Sequence, residues 1–231
     1  EVLESVQPAL TISPFTANAV PLNLYRADIT RSTDTADTLL KRLGVDDVVA
    51  ANYLRTDQLA RQMLLGRAGR NVTAETHEGQ HLRKLVARWS PDDSGQFQRL
   101  VIERTPKGFV SRLESAPLVA STRLASAAIR TSLFAATDDA GLPDAIATQL
   151  AEMFSGDIDF RRALRKDDRF NLVYEVLEGD GEPMRTGRVL SAEFVNAGKA
   201  FQAMWFQPPG KDAQGVAHKG GYYTLDGEER V

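Results

Sequence analysis

In residues 23–90, apolar and polar positions alternate with the period of a strand in some short segments and recur with the period of a helix in others. Polarity alternates over residues 24–29, which predicts a strand with one buried face. Apolar residues then recur at helical spacing up to Gly44, after the capping side chains of residues 32–35, so a helix is expected between them. The predicted elements are a strand at 24–29, helices within 36–43, 45–53 and 59–64, and strands at 71–74 and 81–89.

The pattern beyond residue 90 is mostly that of strands, with one strong helical segment. A turn cluster at residues 91–95 opens this region, and residues 105–108 predict a hairpin turn. The apolar residues of segment 142–154 lie on one helical face and Gly156 follows them, which predicts a helix. Residues 118–133 fit a strand or a helix. The predicted strands are 97–104, 109–114, 170–176, 189–195 and 201–206, the last two joined by a turn at 196–199.

These patterns predict an α+β fold. The length of 231 residues suits two compact domains. Residues 1–22 combine three prolines with small and polar residues and are predicted to be a spacer. Residues 23–90 are expected to form a small α+β domain. Residues 95–227 are expected to form a mostly β domain with one long helix packed on it.

Composition and charge narrow the possible chemistry. The chain has no cysteine, which excludes a thiol nucleophile, a disulfide and a thiolate zinc site. Residues 23–89 carry 11 basic and 8 acidic side chains, and residues 91–231 carry 17 and 21, so neither part is basic enough to predict a nucleic-acid partner. No apolar run is long enough to span a membrane and no signal peptide opens the chain, so membrane attachment is expected only through a removed N-terminal anchor or signal.

The three histidines do not predict a metal site. His77, Glu78 and His81 match the spacing of the zinc-binding His-Glu-x-x-His helix. However, Gly79 and the strand patterns on both sides predict a surface turn between two strands, in which the rings would not share a helical face. His218 lies in a glycine-rich segment and is predicted to be a solvated loop residue.

The acidic pairs of the second region do not predict a calcium site. Asp157 and Asp159, and likewise Asp167 and Asp168, lack the alternating ligands and the terminal glutamate of a calcium loop. Basic residues lie between them at 161–166, so a solvated, mutually neutralised surface is expected. No glycine-rich phosphate loop and no Gly-x-Ser-x-Gly motif occurs, and no active site is predicted.

Several short motifs in residues 24–75 occur in the order of a known module. They are Tyr25-Arg26-Ala27-Asp28-Ile29, Thr33-Asp34-Thr35, Leu39-Leu40-Lys41-Arg42-Leu43-Gly44 and Gly69-Arg70-Asn71-Val72. With them the segment resembles the LysM-like module, also called the opacity-associated-protein-A type, that precedes cell-wall peptidases. The family has Gly-Asp-Thr at the second motif, so the turn beside a sugar lacks its glycine here. The residues selected as candidate glycan contacts are Thr33, Asp34, Thr35, Arg67 and Arg70.

A second set of motifs covers residues 132–227. It comprises Ser132-Leu133-Phe134-Ala135-Ala136, Gly141-Leu142-Pro143, Asp157-Ile158-Asp159-Phe160, Leu164-Arg165-Lys166-Asp167-Asp168-Arg169-Phe170, Tyr174-Glu175 and Gly221-Tyr222-Tyr223-Thr224-Leu225-Asp226-Gly227. This part is similar to the non-catalytic middle domain of LytM/lysostaphin-type zinc metallopeptidases of Gram-negative bacteria. These enzymes are murein DD-endopeptidases, which cut peptide cross-links in peptidoglycan. The two resemblances together cover nearly all of residues 24–227.

The resemblance also implies where the catalytic chemistry lies. The family binds zinc through His-x-x-x-Asp and His-x-His in a separate C-terminal domain, and His77, His81 and His218 match neither pattern. We therefore expect this chain to be the N-terminal, non-catalytic portion of a longer enzyme, with the peptidase domain after residue 231. Zinc is expected in that domain, no cofactor is expected in this chain, and none of its residues inherits a catalytic role.

The expected function is that of a wall-engaging and regulatory region of a peptidoglycan endopeptidase. Its expected location is the periplasm or cell envelope of a Gram-negative bacterium. Its expected partners are peptidoglycan and its own peptidase domain, whose groove it would shield as an autoinhibitor. Two alternatives are an envelope adaptor that recruits or activates another hydrolase without being an enzyme, and a spacer that sets the distance between a membrane anchor and the wall.

Overall fold

A computed structural model of the chain describes residues 22–230. These residues divide into two compact units, one of residues 22–88 with 99–114 and one of residues 89–98 with 115–230. The described residues form two five-stranded sheets, and each sheet is accompanied by helices. The predicted α+β class is therefore confirmed. Residues 1–21 of the predicted spacer lie outside the described residues. No helix within residues 22–230 is long and apolar enough to cross a membrane.

The first unit is built on one sheet with the strand order β1-β2-β3-β4-β5 and on three short helices. Strands β1 and β2 are antiparallel neighbours, with Leu24 opposite Thr76 and Ile29 opposite Asn71. The elements are β1 (Leu24–Ile29), α1 (Ala36–Arg42), α2 (Val48–Thr56), α3 (Gln58–Met63), β2 (Asn71–His77), a 3₁₀ turn (Glu78–Gln80), β3 (His81–Trp89), β4 (Gln96–Thr105) and β5 (Gly108–Pro117).

Side-chain caps define where these helices begin. Thr35 accepts the N–H of Thr38 and Thr38 accepts the N–H of Thr35, which is a capping box before α1. Asp47 and Asp57 cap α2 and α3 by accepting the N–H groups three residues further on. Helix α1 ends before Gly44, whose φ of +68° favours glycine, as the sequence predicts. The buried apolar residues of these helices and strands include Leu39, Leu40, Leu54, Leu64, Val72, Ala74, Leu82 and Leu85.

The hairpin of β4 and β5 crosses the expected boundary between the domains. The turn cluster at residues 91–95 predicts that this hairpin belongs to the second domain. In the structure, residues 99–114 belong to the first unit. The reason is that β4 is hydrogen-bonded to β3, so the cluster is a connection within one sheet. A break in periodicity marks a turn and a domain linker equally well.

The second unit has an antiparallel sheet with the strand order β10-β9-β8-β7-β6 and two helices. The ambiguous segment 118–133 is a strand that leads into the start of a helix. That helix, the early part of β8 and the whole of β10 are absent from the sequence prediction, which expected a single helix. The elements are β6 (Val119–Ala128), α4 (Leu133–Asp139), α5 (Asp144–Phe154), β7 (Arg169–Gly179), β8 (Glu182–Asn196), β9 (Lys199–Phe206) and β10 (Gly221–Tyr223).

An aromatic cluster forms the centre of the second core. The ring of Phe194 on β8 lies 5.4 Å from Phe160, 6.0 Å from Phe170 and 6.1 Å from Phe154, measured between centroids. Helix α5 buries its apolar face against the sheet beside this cluster. Because successive strand residues point to opposite faces, the other face of this sheet is left uncovered by the helices of the unit.

Candidate functional site

An open groove on the first unit is the candidate site, and we call it the α1–α3 groove. Its volume is about 480 Å³. It lies between the start of α1, the end of α2 and the end of α3. Its lining residues are Asp34, Thr35, Ala36, Asp37, Arg55, Arg61 and Leu65.

Two of the five predicted glycan contacts, Asp34 and Thr35, line this groove, and both also hold the local fold. The Asp34 side chain is only 2% exposed and forms a salt bridge with Arg42. It also accepts the N–H of Arg31 at 2.8 Å. The Arg42 guanidinium lowers the pKa of the Asp34 carboxyl below its usual value. The hydroxyl of Thr35 caps α1.

The other three predicted contacts lie outside the lining of the groove. Thr33 is exposed, and Arg67 is exposed with its Nε donating to the carbonyl of Gln62 at 3.0 Å. Arg70 is half-buried and donates to the carbonyl of Met63, and burial lowers its pKa. The structure therefore does not gather the five residues into one site, and glycan contact by each of them stays a prediction.

Five residues of the lining are not among the predicted contacts: Ala36, Asp37, Arg55, Arg61 and Leu65. Asp37 and Arg55 form an ion pair with N–O distances of 2.5 and 2.6 Å, and Arg55 also donates to Asn52 at 2.7 Å. Arg61 and Leu65 complete the groove. Asp37 lies on α1 and Arg55 lies on α2, 18 residues further along the chain. Only the packing of α1 against α2 brings the two side chains together.

The chemistry of the groove is that of polar recognition. Asp37 offers carboxylate acceptors, whereas Arg55 and Arg61 offer N–H donors. The Leu65 side chain adds an apolar contact. Hydroxyl and amide groups on a ligand would find both donors and acceptors here, next to a small apolar surface, as sugar recognition requires.

A second polar cluster is buried at the junction of α2, β3 and β4. The Asp47 carboxylate accepts the N–H of Ala50 and the N–H of Leu82, each at 3.1 Å, and pairs with Arg104. Burial of Asp47 raises its pKa, but these three partners outweigh burial, so the pKa is lower than usual. Asp47 thus ties a helix start to two strands.

The two neighbouring histidines lie on the turn that the sequence predicts. His77 ends β2 and His81 begins β3, directly opposite each other. Their ring centroids are 6.3 Å apart across the two strands, and the residues do not lie on a helix. Within residues 22–230, no group of three or more histidine, aspartate or glutamate side chains is placed to hold a metal ion.

One of the acidic residues expected on a solvated surface is buried. Asp168 is 4% exposed and accepts the N–H of Arg165 at 2.7 Å, the N–H of Ala197 at 2.9 Å and the amide of Asn196 at 2.6 Å. The prediction of a surface position for Asp168 is wrong because these three donors replace the water around the carboxylate. They overcome the effect of burial and lower its pKa.

Acid should destabilise the protein through these carboxylates. Asp34, Asp47 and Asp168 have lowered pKa values in the folded state, so they stabilise the fold fully above the unfolded pKa of about 3.9. This contribution is lost as the pH falls toward the lower folded values. We expect urea unfolding, followed by circular dichroism, to give a nearly constant free energy down to about pH 5 and a steep fall below about pH 4. The variant D168N should show a shallower fall, and a stability that rises on acidification would contradict this assignment.

A further groove lies on the second unit, on the sheet face away from α5. Its volume is about 640 Å³. The lining includes the aliphatic side chains of Leu124, Val173 and Met204, and its one charged group is the carboxylate of Glu193. This groove offers no cluster of titratable side chains for catalysis.

Comparison with known proteins finds a relative of part of the chain among peptidoglycan DD-endopeptidases. No protein-family model matches it. Over 108 residues, 47% of the chain, it is 31% identical to the peptidoglycan DD-endopeptidase ShyC of Vibrio cholerae, and the match spans only 25% of that protein. Among solved structures, a zinc-containing peptidase from Vibrio cholerae gives a TM-score of 0.42 at 17% identity, over 88% of this chain and 58% of the other. Helicobacter pylori Csd3 gives a TM-score of 0.46 at 12% identity, over 86% of this chain and 50% of the Csd3 chain. Over just under half of its length, the chain is homologous to part of a peptidoglycan DD-endopeptidase.

Proposed function

We propose that this chain is the wall-engaging, non-catalytic region of a peptidoglycan endopeptidase of the cell envelope, and that it binds the glycan of the wall in the α1–α3 groove. The observation that carries the proposal is the 31% identity to a peptidoglycan DD-endopeptidase over 108 residues. The described residues provide no ligand set for zinc, so no catalytic step is assigned to them. The expected shielding of a peptidase groove and the periplasmic location stay predictions.

The geometry of the groove supports a role in glycan binding. Its rim carries the carboxylate of Asp37 next to two guanidinium groups, so hydroxyl, ring and acetamido oxygens of an amino sugar would meet donors and acceptors in one place. Leu65 would lie against an apolar face of the sugar ring. Because the groove is open and shallow, we expect an affinity on the order of 1 mM for a single short glycan. Repeated sugars along a wall strand would raise the apparent affinity by rebinding.

Arg61 is the residue that best tests glycan binding. It is exposed on α3, and within residues 22–230 it forms no ion pair, so its removal leaves the fold intact. We expect R61A to bind purified sacculi about tenfold more weakly than the unchanged chain, since hydrogen bonds from a charged donor are lost. The measurement is co-sedimentation with sacculi at low salt.

The matched control is R161A, which removes an exposed arginine from the second unit. It should sediment like the unchanged chain. If the unchanged chain stays in the supernatant, the wall-engaging role is wrong. If R61A and R161A both bind like the unchanged chain, the assignment to the α1–α3 groove is wrong.

A further inference from the structure

A second groove of the first unit lies where β1, the end of α1 and the start of α2 meet. Its volume is about 520 Å³, and we call it the α1–α2 groove. None of the five predicted glycan contacts lines it. The lining residues that matter below are Arg26, Lys41, Gly44, Asp46, Val48 and Gln80.

The charges around this groove leave a positive excess. Two of the three carboxylates in the lining are already neutralised, because Asp37 pairs with Arg55 and Asp47 pairs with Arg104. Within the described part of the chain, Arg26 and Lys41 form no ion pair. Asp46 is the one carboxylate left to oppose these two cations.

The cation of Arg26 lies close to the backbone after α1. Its guanidinium lies directly over Gly44, where a Cβ atom would be 2.7 Å from Nη1 and 2.8 Å from Nε. The φ of +68° at position 44 favours glycine, and a larger side chain there would displace the guanidinium of Arg26. The guanidinium of Arg26 is thus placed beside Gly44 in the lining of the groove.

Apolar groups lie beside these cations. Val48 is 72% exposed at the first position of α2, and the side chains of Leu40, Val45 and Ala51 form the base of the groove. The positive end of the α2 dipole lies at the same place and adds to the attraction for an anion. The combination suits a ligand that joins a carboxylate to small alkyl groups.

We propose that the α1–α2 groove binds the C-terminal carboxylate of a short peptide ending in small apolar residues, with Arg26 and Lys41 as its cationic contacts. The source of such a peptide rests on the proposed function, because the stem peptides of peptidoglycan carry terminal carboxylates next to alanine methyl groups. The first unit would then hold glycan in one groove and a peptide end in the other.

The test is an NMR titration of the ¹⁵N-labelled 231-residue chain with N-acetyl-D-alanyl-D-alanine. We expect shifts of the amide signals around Gly44, Asp46 and Val48, with a Kd on the order of 1 mM. The C-terminal amide of the same dipeptide is the matched ligand and should bind at least about tenfold more weakly, because it lacks the charge.

Variants in the groove should change this affinity in opposite directions. R26A and K41A should each weaken binding about tenfold, whereas D46N should strengthen it about threefold, since it removes the opposing charge. K107A, which removes an exposed lysine from the turn between β4 and β5, should bind like the unchanged chain. Circular dichroism of each variant would show that the fold is kept.

Each outcome bears on the groove separately from wall binding. The proposal is overturned if the groove signals do not move, if the amide binds as well as the acid, or if R26A and K41A both keep the affinity of the unchanged chain. Binding of the dipeptide by a chain that ignores sacculi would support this groove and contradict the proposed wall-engaging role. Binding to sacculi without binding of the dipeptide would support the wall-engaging role and overturn the proposal for the α1–α2 groove.

Discussion

Replacement of Phe194 by alanine should destabilise the second unit by about 3–5 kcal/mol. Phe194 is fully buried and its ring contacts three further phenylalanines, which come from α5, from the loop after it and from β7. Truncation removes the transfer free energy of the ring and leaves a cavity that rigid aromatic neighbours cannot fill. Trp205 lies on β9 of this unit, so urea unfolding followed by tryptophan fluorescence reports the loss of its packing.

The control for this loss is an exposed phenylalanine of the adjacent strand. Phe206 on β9 is 50% exposed, and F206A should cost less than about 1 kcal/mol. F194L, which keeps most of the volume, should fall between the two. A loss in F194A no larger than that in F206A would show that the aromatic cluster does not hold this core together.

The second large effect is expected for D47A, which should destabilise the first unit by about 3 kcal/mol. The change removes the cap of α2, worth about 1 kcal/mol, and leaves the buried N–H of Leu82 unpaired, which costs about 1–3 kcal/mol. Arg104 also loses its carboxylate, although its side chain is 32% exposed and water can replace part of that contact. Urea unfolding followed by circular dichroism measures the change.

A matched variant separates the charge of Asp47 from its hydrogen bonds. D47N keeps an oxygen that can accept the N–H of Ala50 but loses the attraction for Arg104, so we expect about half the effect of D47A. Hydrogen exchange at the Leu82 amide should be faster in D47A, because this group then lacks its acceptor. If D47A is as stable as the unchanged chain, Asp47 does not join α2 to the sheet.

Much of the fold could be predicted from the sequence, because local signals mark it. The pattern in residues 24–29, the capping side chains before α1 and the glycine at position 44 each give a boundary that the structure confirms. The predicted buried face of β1 is wrong, because Leu24, Tyr25 and Ile29 are all more than half exposed. Strand β10, with three residues, is too short for a periodic signal of its own, and α4 begins in the segment 118–133, whose pattern fits a strand or a helix. The start of β8 is also weakly marked, because register shifts in its pairing with β7 interrupt the alternation.

The candidate site was harder to predict because it depends on tertiary packing. The sequence identified Asp34 and Thr35 as a loop motif but not that Asp34 is buried against Arg42. The pairing of Asp37 with Arg55 has no local signal, since helical periodicity gives the face of each helix but not which residues of two helices meet. Likewise, only the approach of β1 to the end of α1 places Arg26 over Gly44.

Binding of wall glycan by the first unit in the α1–α3 groove can be tested directly. Its most direct test is an NMR titration of the ¹⁵N-labelled chain with soluble glycan strands freed of their peptides. We expect the amide signals of Thr35, Asp37, Arg55, Arg61 and Leu65 to shift together, and the signals of residues 115–230 to stay in place. Glycan binding in this groove is contradicted if no signal in the groove moves at the highest soluble glycan concentration, or if the shifts fall only within the second unit.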